Sequence, residues 1–408
     1  MLDWYRKLGA AERRTFWACF GGWALDALDV QIYTFNVPAL IALWQISKAQ
    51  AGLLATSALV ISAFGGWIAG MLADRVGRAR LLMIMVIWFA VFTFLSGFTN
   101  SFEQLLVVRG LQGFGFGGEW AAGSVLIGEV IRGADRGKAV GTVQSAWAWG
   151  WGAAAILATI IFQVLPQEIA WRVLFFVGIL PALLVFYIRT KVPEPTIFKQ
   201  AKQAPTRRGT LEIFGRELLP TTILGAALAT GAQGGYYAIT TFLPTFLRSE
   251  RHLTVLGSGG YFAIIIIGSW CGYIVSAYLS DAIGRRKNFL AYAIGSLVIA
   301  IAYTQAEISD QLMLILGFPL GFFASGIFSG MGPVLTELFP TSVRGAAQGF
   351  CYNFGRGIGA FFPTLVGLLS ASVALGTATG IFAAISYAIV ILAALVLPET
   401  RGRELVAN

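Results

Sequence analysis

Leu72-Ala73-Asp74-Arg75-Val76-Gly77-Arg78-Ala79-Arg80 returns 207 residues later as Leu279-Ser280-Asp281-Ala282-Ile283-Gly284-Arg285-Arg286-Lys287. Each copy stands between two long apolar segments, so one pattern is used twice. The register holds elsewhere. Glu129, Arg136 and Gly137 recur as Glu337, Arg344 and Gly345 at an offset of 208, and Val192-Pro193-Glu194 recurs as Leu397-Pro398-Glu399 at 205. Three motifs in one order at nearly one offset mark an internal duplication.

Composition says what surrounds the two copies. Over 408 residues, 57% are hydrophobic and 12% charged, with a mean hydropathy of +0.74. A soluble domain carries about 25% charged residues to cover its surface, so the bilayer is the solvent here. Stretches near the ~20 residues that span a hydrocarbon core predict twelve helices. They fall at about 15–44, 50–73, 80–99, 103–131, 138–163, 172–190, 217–247, 256–279, 288–306, 311–337, 345–371 and 375–397. The expected fold is an all-α membrane protein of two pseudo-symmetric six-helix bundles, residues 1–190 and 217–408, joined by a polar linker at 191–216 that carries Lys199, Lys202, Arg207 and Arg208.

The net charge of +9 belongs to topology. With the amino terminus inside, only Lys48, Arg172, Arg248 and Arg251 of the 29 basic residues fall on the outer side, and Arg109 and Arg356 fall inside helices. Lys and Arg gather in cytoplasmic loops, which puts both termini in the cytoplasm of a bacterial inner membrane. No folded soluble unit offers a basic face to nucleic acid. Cys19, Cys271 and Cys351 are scattered along apolar segments, without disulfide or metal-ligand spacing. The single histidine, His252, lies in an expected outer loop with no nucleophile motif or phosphate-binding loop around it, so no enzyme, metal or cofactor is expected. The opening residues lack a signal peptide's cleavage pattern, and the first apolar segment is expected to be a retained helix.

The stretch from Gly70 to Arg80 resembles the signature loop of the major facilitator superfamily. Arg109-Gly110-Leu111-Gln112-Gly113-Phe114-Gly115-Phe116-Gly117-Gly118-Glu119 resembles its helix 4 motif, and Pro398-Glu399-Thr400-Arg401-Gly402 the ending of sugar and metabolite porters. Leu25-Asp26-Ala27-Leu28-Asp29 is similar to the paired-acid motif of organic-acid:proton symporters, including the sialate and lactate branch and the aromatic-acid branch. The resemblance implies alternating access between two bundles. It also implies a pairing of Asp29 with Arg109, as in sugar porters.

Residue chemistry supplies candidate roles. In the repeated loop an acid such as Asp74 can cap a helix and pair with Arg75 or Arg78, a latch that Asp281 and Arg285 repeat in the second half. Glu129 with Arg136, and Glu337 with Arg344, read as gating or helix-end pairs. Asp26, Asp29 and Glu119 are acids inside apolar helices, where each needs a partner, a proton or water. Asp26 and Asp29 share one helix face at spacing three, so they are candidate proton sites together with Arg109 and Glu119; each acid could instead pin a neighbouring helix. Arg356 has no counterpart, its 208-offset partner being Ala148. A guanidinium grips a carboxylate through two parallel hydrogen bonds, which favours an anionic substrate. Asn353, Gln233, Tyr236, Tyr237 and Gln144 are further binding candidates by position.

The expected function is proton-coupled import of a small organic anion such as a monocarboxylate by a monomeric carrier. A neutral, sugar-like porter fits the helix 4 motif and the Pro398-Glu399-Thr400 ending but leaves Arg356 without a task. A drug or metabolite antiporter fits less well, because residues 141–152 lack the Gly-Pro pattern of such exporters.

Overall fold

A computed structural model describes residues 3–76, 78–130, 136–191, 210–253, 255–306, 308–339 and 343–401. Twelve helical rods follow in chain order. In the first half they are α1 (Ala10–Trp44), α2 (Lys48–Val76), α3 (Arg78–Ser96), α4 (Phe102–Val130), α5 (Arg136–Gln144 and Ala146–Val164) and α6 (Gln167–Val177 and Ala182–Lys191). In the second they are α7 (Leu219–Ser249), α8 (Val255–Ile283), α9 (Arg285–Gln305), α10 (Asp310–Gly326, a 3-10 turn at Ile327–Gly330, then Met331–Leu338), α11 (Arg344–Gly359 and Phe361–Leu369) and α12 (Leu375–Val396).

Several rods are interrupted where the sequence reading had them continuous. Pro363 has no N–H to give the carbonyl of Gly359, and α11 is interrupted at Ala360. Pro181 lies in the gap between the two pieces of α6. At the other extreme α1 begins at Ala10, before the apolar run, because the Glu12 carboxylate accepts the Gly9 N–H at 2.6 Å and closes the first turn.

Eight of these rods are long and apolar enough on their own to cross a membrane. The others are informative. α6 and α11 are split into short pieces, α4 carries Arg109, Gln112 and Glu119, and α7 is buried along nearly all of its length from Gly225 to Leu247. A rod surrounded by protein can carry polar groups that lipid would not accept.

The duplication extends to individual contacts. A side-chain carbon at Gly65 would strike the Phe114 carbonyl, and one at Gly272 the Phe322 carbonyl; Gly113 stands in the same way over Ala58, and Gly321 over Ile265. These residues are partners at offsets of 207 and 208. Thus α2 packs on α4 as α8 packs on α10, backbone against backbone, the close approach that glycine allows between membrane helices. The two halves meet along α2 with α11, α5 with α8, and α1 with α7.

Candidate functional site

α1 places its polar residues in the protein interior. Asp26, Asp29 and Gln31 are each at most 1% exposed, as are Gln112, Gln233 and Arg356, while Arg109 and Glu119 are nearly as covered. Ionisable groups this deep mark a pathway or a binding centre by default, given what their burial costs in a membrane.

Two clusters result. In the first, both Asp29 carboxylate oxygens are occupied, one by the Thr93 hydroxyl of α3 and the other by the Gln112 amide of α4. Arg109 is a near neighbour, but its Nε and Nη1 have no hydrogen-bond partner among the described residues. Its guanidinium lies instead over the Tyr33 ring, 4.6 Å from the centroid, and Tyr33 is itself fixed by a 2.5 Å hydrogen bond to the Ala51 carbonyl. Asp29 is thus hydrogen-bonded to Thr93 and Gln112, with Arg109, the partner implied by resemblance, as a neighbouring charge and not a direct hydrogen-bond donor.

In the second cluster Asp26 faces Glu119 of α4, with Arg356 of α11 close to both. Asp26 and Glu119 are within hydrogen-bonding reach of each other when one is protonated, and the Asp26 oxygens have no other donor among the described residues. Glu119 is the acid directly opposite Asp26, and Asp29, its neighbour by spacing along α1, also acts on it. Arg356 donates from Nε to the Gln233 amide oxygen at 3.3 Å and stacks on Phe116 (4.5 Å) and Tyr352 (5.1 Å). Gln233 is oriented for this by giving its own N–H to the Tyr352 carbonyl at 2.9 Å. Arg356 Nη1 is left without a partner. Two carboxyls side by side can hold one proton between them, leaving a single negative charge opposite one guanidinium.

Aromatic rings close the space around this cluster. Trp147 of α5 donates to the Tyr236 hydroxyl of α7 at 2.5 Å, and Tyr236 packs edge-on against Tyr237, Trp151 and Phe328. Trp147 is 5% exposed and Trp149 62%; only the latter belongs with the lipid-facing rings. A small pocket, with room for about one water, is lined by Trp151, Tyr236, Thr240, Ile265, Leu320 and Ser325 among others, so both halves contribute.

Two further sequence candidates are placed as follows. Asn353 bonds the Gly349 carbonyl at 2.9 Å and its amide packs over Gly66 of α2, at the seam between the halves. Gln144 is buried at the interruption of α5. The useful residues that sequence reading missed are Thr93, Gln31, Phe116 and Ser325. For Gln31 there was a signal, an amide two positions past Asp29 in an apolar helix; Phe116 and Ser325 look like ordinary packing residues until the fold brings them together.

The two halves touch on either side of this centre. At one, Thr56 of α2 donates to the Ala360 carbonyl at 2.5 Å and stands 2.7 Å from the Thr364 hydroxyl of α11. At the other, Gly141 of α5 abuts Ala277 of α8, and Gly332 of α10 stands against Val140. Cysteines replacing Thr56 and Thr364 should therefore form an oxidant-dependent cross-link that stops transport and is reversed by reductant; full transport by the cross-linked protein would contradict that expectation.

The repeated loop is described in its second copy. Arg285 pairs with Asp281 at 2.5 Å and with both oxygens of Glu337 at 2.9 and 3.1 Å, and the Thr400 hydroxyl donates to Glu337 at 2.7 Å. Asp281 does not cap the following helix; Glu399 does. Its carboxylate accepts the N–H groups of Arg285, Arg286, Thr400 and Arg401 at 2.9 to 3.1 Å, filling the positive end of α9. That is the physical content of the Pro398-Glu399-Thr400 motif. The side chains of Asp74, Arg75, Arg78, Glu129, Arg136 and Arg344 lie outside the described residues.

Partial burial alone would raise the Glu399 carboxyl, but the four N–H groups outweigh it and hold it below the ordinary glutamate range. A depressed carboxyl adds stability that is present above its unfolded value, about 4.3, and is lost as pH falls through the lower folded value. Glu399→Gln should lower the melting temperature at neutral pH and have little effect in acid. A pH-independent loss in a detergent melting series would contradict the capping role.

Two related six-helix halves around a buried cluster of two arginines and three acids define a membrane carrier. Residues 19–304 and 266–407 match the Major Facilitator Superfamily, and the chain belongs to it; it is a transporter and not an enzyme. The chain is 44% identical over 406 residues (98% of this chain, 94% of the relative) to a probable 4-methylmuconolactone transporter of Cupriavidus pinatubonensis (strain JMP 134 / LMG 1197). It is 30% identical, over 86% of both chains, to the cis,cis-muconate transport protein of Acinetobacter baylyi (strain ATCC 33305 / BD413 / ADP1). The solved proton:xylose symporter XylE, bound to 6-bromo-6-deoxy-D-glucose, shares the fold with a TM-score of 0.72 over 97% of this chain and 98% of that one, at 20% identity.

Proposed function

We propose that this protein imports a small organic anion together with protons, by alternating access. The single observation that carries the reading is Arg356, fully buried, with Nη1 unpaired and two carboxyls beside it. A buried cation with a free N–H is a seat for an incoming carboxylate, and a neutral hexose gives it no partner. Support for an unsaturated carboxylate comes from the aromatic walls and from relatives named for 4-methylmuconolactone and cis,cis-muconate.

In this mechanism a proton enters the Asp26/Glu119 pair and lowers its hold on Arg356. The substrate carboxylate then takes the unpaired Nη1 edge of the guanidinium, while Gln233 keeps Nε in place. With the centre neutral, the halves 1–190 and 217–408 rock about the α2/α11 and α5/α8 seams, the 191–216 linker joining them. Asp29 and Arg109 add a second coupling group, held by Thr93, Gln112 and Tyr33. Asp281, Arg285, Glu337 and Arg344, with their first-half counterparts Asp74, Arg78, Glu129 and Arg136 and with Arg75, form latches at the cytoplasmic ends. The carrier works as a monomer in a bacterial inner membrane, with both termini inside.

Uptake by proteoliposomes under an imposed pH gradient tests the reading. Radiolabelled muconolactone, benzoate, lactate and a hexose are compared with and without a protonophore. Accumulation of an acid that collapses with the protonophore supports it. Accumulation of the hexose alone, or export of amphiphilic dyes, would sink it.

A further inference from the structure

Arg248, in the last turn of α7, breaks the duplication as Arg356 does. At offsets of 206, 207 and 208 its counterparts are Ala42, Ile41 and Leu40, at the outer end of α1. Two other arginines on the outer side show what a structural guanidinium does there. Arg172 donates to the carbonyls of Gly97 and Thr99 at 2.7 and 2.9 Å and to the Asn100 side chain at 2.8 Å. Arg251 donates to the Ile308 carbonyl at 2.8 Å and meets the Met313 sulfur at 3.2 Å. Arg248 has no such task. It is half-buried, its Nε is covered and without a hydrogen-bond partner, and no acid pairs with it among the described residues. Glu250, two positions on, uses both oxygens to accept the N–H groups of Leu375 and Gly376 at 2.5 and 3.1 Å, closing the start of α12.

What Arg248 meets is a ring of the opposite half. Its guanidinium carbon lies 5.8 Å from the centroid of Phe162 on α5. Phe35 of α1 and Phe262 of α8 make a second ring contact between the halves, edge-on at 4.9 Å. A cation over a partly exposed ring gains only about 0.5 to 1 kcal/mol, so the Phe162 contact is easily given up when the halves move.

We propose that Arg248 is an outer recruiting site for the carrier's anionic substrate. When the outer seam parts, the guanidinium leaves Phe162 and faces an incoming carboxylate before that carboxylate reaches Arg356. The inference rests on the carrier reading above and adds to it an entry step. Its ligand class is any small carboxylate, because a single cation at an open mouth reads charge and not shape. Choice among acids is left to the centre. A charged mouth with low-dielectric walls raises the on-rate of an opposite charge by about 10-fold or more. Salt weakens the effect, since the screening length falls from about 30 Å at 0.01 M to about 3 Å at 1 M.

The experiment follows initial uptake of radiolabelled benzoate and muconolactone into right-side-out membrane vesicles, well below half-saturation, at about 0.01 M and about 1 M salt. Arg248→Gln should lower the low-salt rate by on the order of tenfold for both acids alike and flatten its fall with salt. Arg248→Lys should keep most of both, because the charge and not the planar fork is what counts here. Arg248→Cys should behave like the glutamine variant until the impermeant trimethylammonium-ethyl methanethiosulfonate is added outside, which restores a cation and with it the rate. The sulfonatoethyl reagent, an anion, should lower the rate further. Recovery with the cationic reagent also shows that the variant is folded, and wild type, whose Cys19 and Cys351 are buried, serves as the control. A glutamine variant with the wild-type rate and salt profile would leave Arg248 a snorkelling residue at the lipid headgroups and overturn the recruiting role. A loss that the cationic reagent does not reverse, or one confined to a single acid, would overturn it as well. Wild type that moves neither acid at either salt would instead overturn the carrier reading.

Discussion

Arg356→Leu abolishes concentrative uptake of the organic acid, and Arg356→Lys restores it only in part. The leucine removes the cation that the substrate carboxylate needs, and it also leaves Asp26 and Glu119 facing each other without a counter-ion. A hydrogen bond to a charged group contributes about 1.5 to 3 kcal/mol, which corresponds to an apparent affinity weaker by on the order of 10- to 100-fold. Lysine keeps the charge but not the planar fork that reaches Gln233 and lies flat between Phe116 and Tyr352. Its KM should rise more than its maximal rate falls. Half-saturation measured by radiolabelled uptake decides the matter: an Arg356→Leu protein with wild-type KM would remove the guanidinium from the binding site.

Asp26→Asn separates exchange from accumulation. With one carboxyl gone, the Asp26/Glu119 pair no longer has two acids among which to carry a proton, and the centre can be neutral at Arg356 and Glu119 without protonation. Counterflow of labelled against unlabelled substrate should continue, whereas accumulation driven by a pH gradient should fall toward equilibrium, by about tenfold or more if coupling is lost. Glu119→Gln should do the same, since the two carboxyls share one task. Loss of counterflow and accumulation together would make Asp26 a packing or binding group instead. Unchanged accumulation in both variants would move proton coupling to the Asp29 cluster.

The duplicated loop made the fold legible, because a repeat between apolar segments constrains topology more than any single helix does. Its reach into packing is clear at Gly65 over Phe114 and Gly272 over Phe322. Charged residues in apolar context were equally visible: Asp26, Asp29, Arg109, Glu119 and Arg356 are all buried. Their pairing was not. Spacing along one helix suggested Asp26 with Asp29, which do act on each other, but spacing does not show what the facing helix adds, and α4 presents Glu119 to one and Gln112 to the other. Glu399 is a similar case, since only the folded chain shows that the segment after α12 returns to cap α9. Residues such as Thr93 and Ser325 give no signal in one sequence, because a hydroxyl in a membrane helix ordinarily bonds its own backbone.

Proton movement itself is the most direct test of the central claim that one buried cluster binds an anion and a proton together. Proteoliposomes in weak buffer, without an imposed gradient, are given muconolactone while external pH is followed with an electrode. The account predicts alkalinisation of the medium that tracks substrate entry, vanishes with Arg356→Leu, and is lost in Asp26→Asn while counterflow persists. Substrate entry in wild type without any change in external pH would contradict it.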